Sequence, residues 1–97
     1  MEFLVEFTIR FPEEMPDADV KEHQRAEADA AAELVRQGHL VRLWIPPVGP
    51  GESKALGLYR ADSEEQLDAL LRALPMDQWM DEVVTPLRQH PNDPGGT

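Results

Sequence analysis

The sequence of 97 residues predicts an α+β fold, in which four strands form one antiparallel sheet and two helices cover one of its faces. Three observations predict this class. Four segments have the alternation or composition of strands, two segments carry apolar residues at helical spacing, and the segments follow one another in the order βαββαβ. This order is typical of the ferredoxin-like sandwich, a recurring arrangement that a chain of this length can form as one domain.

The first strand spans residues 2–11, because large apolar side chains alternate there with other residues. Pro12 ends the strand, since proline removes a backbone donor. The core face of the strand carries Phe3, Val5, Phe7, Ile9 and Phe11.

The first helix is predicted from Asp17, as its capping residue, to about Gln37, with Gly38 as the residue that stops it. A helical projection shows an apolar sector that contains Val20, Ala31 and Leu34. Glu27 lies in the middle of this sector, where the pattern calls for an apolar side chain. Burial raises the pKa of a carboxyl group and suits it to take up and return a proton. The alternative is that Glu27 extends to water or pairs with an arginine.

The second strand covers residues 39–45 and the third covers residues 54–60. The loop between them, residues 46–53, is rich in proline and glycine, and either closes over a cavity as a lid or is a solvated connection. The second helix begins at a capping-box sequence, continues with leucines at helical spacing and stops at Pro75. Residues 79–87 form the fourth strand, in which Pro86 fits an edge position.

We expect one domain over residues 1–90 and a flexible tail over residues 91–97, because the tail has no apolar anchor. The net charge of −10 repels phosphate and anionic lipid, so neither nucleic acid nor membrane is an expected partner. No signal peptide or membrane-spanning pattern is present, which predicts a cytoplasmic protein. The chain has no cysteine and its three histidines lack metal-ligand spacing, so no metal site is expected.

One sheet face remains uncovered in this fold, and we expect it to carry Leu4, Glu6, Thr8 and either Trp44 or Leu43. Such a face is too apolar for water and too polar for a core. A small core without disulfides is also marginal by itself. Both observations predict a homo-oligomer in which a second copy covers this face.

Almost the whole chain, from the opening strand Met1-Glu2-Phe3-Leu4-Val5 onward, resembles the muconolactone delta-isomerase family, and the C-terminal half is the specific part of the resemblance. The similar motifs are Leu74-Pro75-Met76, Trp79-Met80-Asp81, Val84-Thr85-Pro86-Leu87 and His90-Pro91, with Arg25-Ala26-Glu27 and Arg42-Leu43-Trp44 before them. The resemblance implies a ferredoxin-like subunit that forms dimers and decamers and uses no metal or organic cofactor. It also implies an isomerase that shifts a proton along an unsaturated lactone in bacterial aromatic degradation, with Glu27 as the base.

Further candidate residues surround this base. His23 lies one helical turn before Glu27 and either orients or protonates the substrate or is a partly exposed helix histidine. Either Arg10 or Arg42 is a candidate for binding a substrate carboxylate, although interface ion pairs explain them equally well. The remaining candidates for a substrate pocket, each of which is also compatible with a purely structural role, are Trp44, Ser53, Met76, Trp79 and Met80.

Departures from the family pattern leave the substrate open. Ile45 stands where the family has an arginine, and the expected tyrosine and asparagine align near Ser53 and Ala55. These differences favour a less charged substrate, such as a cyclic enone or a polyketide intermediate in secondary metabolism. A third alternative is a non-catalytic, oligomeric ligand-binding protein that keeps only the fold.

Overall fold

The sheet of the computed structural model contains four strands, and the structure describes residues 1–95. The strands are β1 (Glu2–Ile9), β2 (Leu40–Trp44), β3 (Lys54–Arg60) and β4 (Met80–Leu87), and the helices are α1 (Asp17–Arg36) and α2 (Glu64–Arg72). The strand order is β2-β3-β1-β4, and each adjacent pair is antiparallel. The predicted ferredoxin-like βαββαβ sandwich is thus confirmed.

Strand β1 lies in the interior of the sheet and supplies the centre of the core. Phe3 and Val5 are fully buried and Phe7 is 4% exposed, as the alternation predicts. The strand ends at Ile9 and not at residue 11. Beyond it, the N–H of Arg10 donates to the carbonyl of Trp79 at 2.7 Å, and the chain then leaves the sheet.

Helix α1 ends as predicted but begins differently. Gly38 has φ of +80°, and its N–H donates to Val35 while the N–H of His39 donates to Leu34, which is the Schellman arrangement. At the other end, Pro16 occupies the N-cap position, and the prediction of Asp17 as the cap was wrong. Asp17 is instead the first helical residue, where its charge favours the positive end of the helix dipole.

Helix α2 begins at its predicted cap, since the Oγ atom of Ser63 accepts the N–H of Gln66 at 3.0 Å. The side chain of Gln66 accepts the N–H of Asp62. Leu67 and Leu71 are each 1% exposed, so the leucine face of the helix packs into the core. Pro75 follows the helix and leads into a short 3-10 helix, Asp77–Trp79.

That turn makes β4 begin at Met80, one residue later than predicted. The strand lies at an edge of the sheet, where Pro86 needs no ladder partner on its outer side. Residues 91–95 are exposed, and residues 96–97 of the predicted tail lie outside the described residues. Within the described part of the chain, no helix is long and apolar enough to cross a membrane.

The uncovered sheet face is mixed, as the sequence predicts. Register places Leu4 opposite Leu58 on this face, and Trp44 opposite Leu56. Of the two residues predicted for this face, Trp44 lies on it and Leu43 does not. Leu43 pairs with Gly57 and lies on the side that the helices cover.

Candidate active site

A cavity of about 470 Å³ lies between α1 and the covered face of the sheet. Its lining is largely apolar, because α1 contributes alanines where the sheet and the turn after α2 contribute larger side chains. The apolar lining residues are Phe7, Ile9, Ala28, Ala31, Leu40, Leu43, Ile45, Ala55, Leu74, Met76 and Met80. The polar lining residues are Gln24, Glu27 and Tyr59. A cavity with few polar groups suits a small, mostly apolar ligand.

Glu27 projects from α1 into this cavity and is half-buried. Its Oε1 atom accepts the backbone N–H of Met76 at 3.0 Å. Desolvation raises the pKa of the Glu27 carboxyl and the nearby charge of Asp77 raises it further, while the hydrogen bond from Met76 acts in the opposite direction. Within residues 1–95 the Oε2 atom makes no hydrogen bond, so it is free to exchange a proton with a ligand.

The turn after α2 holds the Met76 N–H in place. The N–H of Asp77 donates to Leu74 at 3.1 Å, and the N–H of Trp79 donates to Met76 at 2.9 Å. The N–H of Met76, between these two donors, binds Glu27. The carboxylate therefore also connects α1 to this turn, and the arginine pair considered from the sequence is replaced by a backbone donor.

Tyr59 is the second polar group of interest in the cavity, and the sequence patterns do not single it out. The residue lies on β3, is 3% exposed and packs edge-on against Phe7, with ring centroids 6.1 Å apart. Its ring leans over Gly57, because a Cβ atom built on Gly57 would lie 2.6 Å from the Cε1 atom of Tyr59. Burial raises the pKa of the Tyr59 phenol, and the carboxylates Glu27 and Glu82 raise it further.

Two predicted site residues form an aromatic cluster beside the cavity. The ring centroids of His23 and Trp79 lie 4.5 Å apart, and those of Trp79 and Phe11 lie 5.3 Å apart. His23 is one turn from Glu27 on α1, but it is not among the residues that line the cavity, and neither is Trp79. Met80, the next residue along the chain, does line it.

The other predicted substrate-binding residues lie elsewhere in this subunit. Arg42 and Trp44 are on the uncovered sheet face, where the guanidinium lies 5.2 Å from the centroid of the Trp44 ring. Ser53 is exposed, and its carbonyl accepts the N–H of Ile9. In the loop before it, Glu52 accepts the N–H of Gly49 at 2.8 Å and makes no contact with the cavity.

An ion-pair cluster lies next to the site. Arg72 at the end of α2 pairs with Asp68 at 3.4 Å, with Asp77 at 2.9 Å and with Glu82 on β4. The Glu82 side chain is only 5% exposed, and burial raises its pKa although Arg72 acts against the shift. Among residues 1–95, no group of three or more histidine, cysteine or acidic side chains is arranged to hold a metal ion.

Comparison with known proteins supplies the family. The family model of muconolactone delta-isomerase matches residues 1–93. The chain is 29% identical to the muconolactone delta-isomerase of Cupriavidus pinatubonensis, over 95% of this chain and 97% of that relative. It is 27% identical to the enzyme of the same name from Acinetobacter baylyi, over 95% and 93% of the two chains. The crystal structure of muconolactone isomerase superimposes with a TM-score of 0.84 at 28% identity, covering 100% of this chain and 98% of that one.

Proposed function

The chain belongs to the muconolactone delta-isomerase family, and from this premise we propose that it is a cofactor-independent isomerase that moves a proton and a double bond within an unsaturated lactone. The enzyme would act in bacterial degradation of aromatic compounds, as the reaction type of its relatives suggests. Glu27 would serve as the base, and the lactone would occupy the cavity between α1 and the sheet.

The reaction needs one group that both removes and returns a proton. In a lactone whose double bond is conjugated with the carbonyl, the Oε2 atom of Glu27 removes the proton from the γ carbon. The electrons of the broken C–H bond form a dienolate, with negative charge on the carbonyl oxygen. The neutral carboxyl then returns the proton to the α carbon, and the double bond moves to the β,γ position. No atom or electron is gained or lost, so no co-reactant is required.

The observation that carries this proposal is the environment of Glu27. One carboxylate oxygen is held by the N–H of Met76, while desolvation in the apolar cavity raises the pKa of the group. A base with a raised pKa accepts a carbon-bound proton more readily and remains able to release it. The hydrogen bond to Met76 orients the carboxylate without occupying both of its oxygens.

Replacing Glu27 by glutamine tests the proposal. Glu27→Gln keeps the shape and an acceptor for Met76 but removes the base, so turnover of muconolactone should fall by about 10²- to 10⁴-fold. The conversion can be followed by proton NMR. Asp29→Asn, at an exposed position of the same helix, is the matched control and should keep full activity. Unchanged turnover in Glu27→Gln would reject Glu27 as the base, whereas a wild type that converts no lactone would favour a non-catalytic binding protein.

A second candidate substrate is an uncharged lactone or cyclic enone, including a polyketide intermediate. The observation that favours it is the cavity lining, in which no described residue is a lysine, arginine or histidine. A carboxylate, such as that of muconolactone, would therefore find no opposite charge among these lining residues. The ratio of kcat/KM for muconolactone and for the uncharged 5-methylfuran-2(5H)-one separates the two candidates. A preference for the uncharged lactone supports the second, and a preference for muconolactone supports the first.

A further inference from the structure

The hydroxyl of Tyr59 stands out among the polar groups of the cavity. Buried tyrosine hydroxyls usually find a hydrogen-bond partner. Within residues 1–95, however, no protein group forms a hydrogen bond with this hydroxyl, although the residue is 3% exposed and lines the cavity. A hydroxyl that lines a cavity and has no protein partner is suited to bind a ligand.

The ring that carries this hydroxyl is held in place by its neighbours. Phe7 contacts it from β1 at an interplanar angle of 62°, and Gly57 leaves the space that the ring covers. Both contacts come from strands of the sheet, so the position of the hydroxyl is set by rigid elements and not by a loop. Such preorganisation is what a group needs in order to stabilise charge as it develops.

We infer that Tyr59 is a second catalytic residue, whose hydroxyl donates a hydrogen bond to the carbonyl oxygen of the substrate. This inference rests on the proposed function. As the Oε2 atom of Glu27 takes the γ proton, the negative charge of the carboxylate moves to the carbonyl oxygen of the dienolate. The phenol keeps its proton throughout and stabilises that oxygen, and the bond weakens again when the α carbon is protonated.

Two features of the site support this role. Burial and the carboxylates Glu27 and Glu82 raise the pKa of Tyr59, so the phenol remains a donor and does not compete with Glu27 as a base. The described lining residues also include no cation that could stabilise an enolate oxygen in its place. A hydrogen bond in a cavity with few other polar groups is stronger than the same bond in water.

Tyr59→Phe tests the inference, since it removes the hydroxyl and keeps the ring. We expect kcat for the isomerisation of 5-methylfuran-2(5H)-one, or of muconolactone if that is the better substrate, to fall by about 10²- to 10³-fold. The change in KM should be small, because the bond strengthens in the transition state. Exchange of the γ proton in deuterium oxide should slow together with kcat.

A spectroscopic test does not depend on how well Tyr59→Phe folds. Tyr59 is the single tyrosine of the chain, so 3-fluorotyrosine supplied during growth labels this position alone. In a labelled Glu27→Gln background, which binds without turnover, titration with 5-methylfuran-2(5H)-one should shift the fluorine resonance. No other position carries fluorine, so binding of the lactone elsewhere on the surface would not shift this resonance directly.

The outcomes separate the inference from the proposed function. The role of Tyr59 would be overturned by an unchanged kcat in Tyr59→Phe, or by a fluorine resonance that stays fixed at saturating lactone. If Glu27→Gln is inactive in that case, the proposed isomerase function still stands. Full activity in Glu27→Gln would overturn the role of Glu27 as the base, and a wild type that isomerises neither lactone would overturn the proposed function itself. A loss of kcat in Tyr59→Phe with an unchanged unfolding temperature supports the inference.

Discussion

A carboxyl group inside an apolar cavity costs folding free energy when it is ionised, and Glu27 is such a group. Its hydrogen bond to the N–H of Met76 recovers part of this cost but not all, since the net shift of its pKa is upward. The same desolvation that makes the residue a suitable base therefore makes the folded chain less stable at neutral pH. Function and stability oppose each other at this residue.

This opposition predicts a pH dependence of stability. The pKa of Glu27 is higher in the folded chain than its ordinary value of 4.5, so the folded state holds the proton more tightly. The stability that the folded chain gains from holding this proton is fully present below pH 4.5, the ordinary pKa, and is lost as the pH rises through the pKa of the folded state. Glutamine cannot ionise, so the unfolding free energy of Glu27→Gln relative to the wild type should increase with pH across this window. Urea unfolding at several pH values measures it, and a constant difference would contradict the prediction.

Gly57 predicts a second effect at the residue scale. The Cβ atom of Gly57→Ala would lie 2.6 Å from Cε1 of Tyr59 and 3.3 Å from Cδ1 of Leu43, so the tyrosine ring must move. We expect a loss of about 1–3 kcal/mol in the free energy of unfolding and a reduced kcat. Gly38→Ala is the control. Its φ of +80° strains alanine and should cost about 1 kcal/mol of unfolding free energy, but Gly38 does not line the cavity, so kcat should not change. A Gly57→Ala variant with unchanged kcat would show that the position of the ring is unimportant.

At the scale of elements, Arg72 joins the end of α2 to β4. It neutralises Glu82, whose side chain is 5% exposed and whose Oε2 atom has no hydrogen-bond partner within residues 1–95. Because the arginine itself is about half exposed, solvent screening reduces the strength of the pair. The buried carboxylate nevertheless depends on it, since no other cation is paired with it in the described part of the chain.

Arg72→Met should therefore lower the free energy of unfolding by about 1–3 kcal/mol, because it leaves Glu82 buried and unpaired. The double variant Arg72→Met with Glu82→Leu should recover most of this loss, since it removes the buried charge as well. Arg36→Met is the matched control, as that arginine is 77% exposed and pairs with Glu33, and its effect should stay within about 0.5 kcal/mol. A double variant no more stable than Arg72→Met would show that the buried charge is not the cause.

At the scale of the whole molecule, the uncovered sheet face carries a mixture of apolar side chains and ion pairs. Leu4, Leu58 and the 62% exposed Val83 lie on it beside the ion pairs of Glu2 with Arg60 at 2.8 Å and of Glu6 with Lys54 at 3.7 Å. Apolar side chains that alternate with ion pairs in this way suit contact with an identical face, since these four charges already have their counterparts. We expect a homo-oligomer, with dimers formed through this face and a decamer as the larger assembly that the family resemblance implies.

Light scattering tests the assembly directly. The wild type should have a mass well above that of the 10.9 kDa chain, and Leu58→Lys, which places a charge on this face, should lower it. Val35→Lys is the matched control, because Val35 is 56% exposed on α1 and its replacement leaves the sheet face intact. A folded wild-type monomer at micromolar concentration would contradict the prediction.

The sequence alone determined the elements and the position of Glu27. Alternation in β1, the capping serine of α2 and Gly38 after α1 are local signals, so they could be read without knowledge of the fold. The apolar sector of α1 likewise marks Glu27, because the helical repeat relates residues that are near in the chain. The start of α1 was misassigned by one residue, since two neighbouring residues both fit the beginning of a helix.

Only the tertiary structure decided which polar groups share the cavity with Glu27. Tyr59 comes next to Phe7 through the pairing of β3 with β1, and Met76 reaches Glu27 across 49 positions of the chain. The pairing of β2 with β3 places Arg42 and Trp44 on the other face of the sheet, away from the base. The physical reason is that strand register and the docking of α1 depend on packing between distant segments, and a shift of one residue in a strand would exchange its two faces.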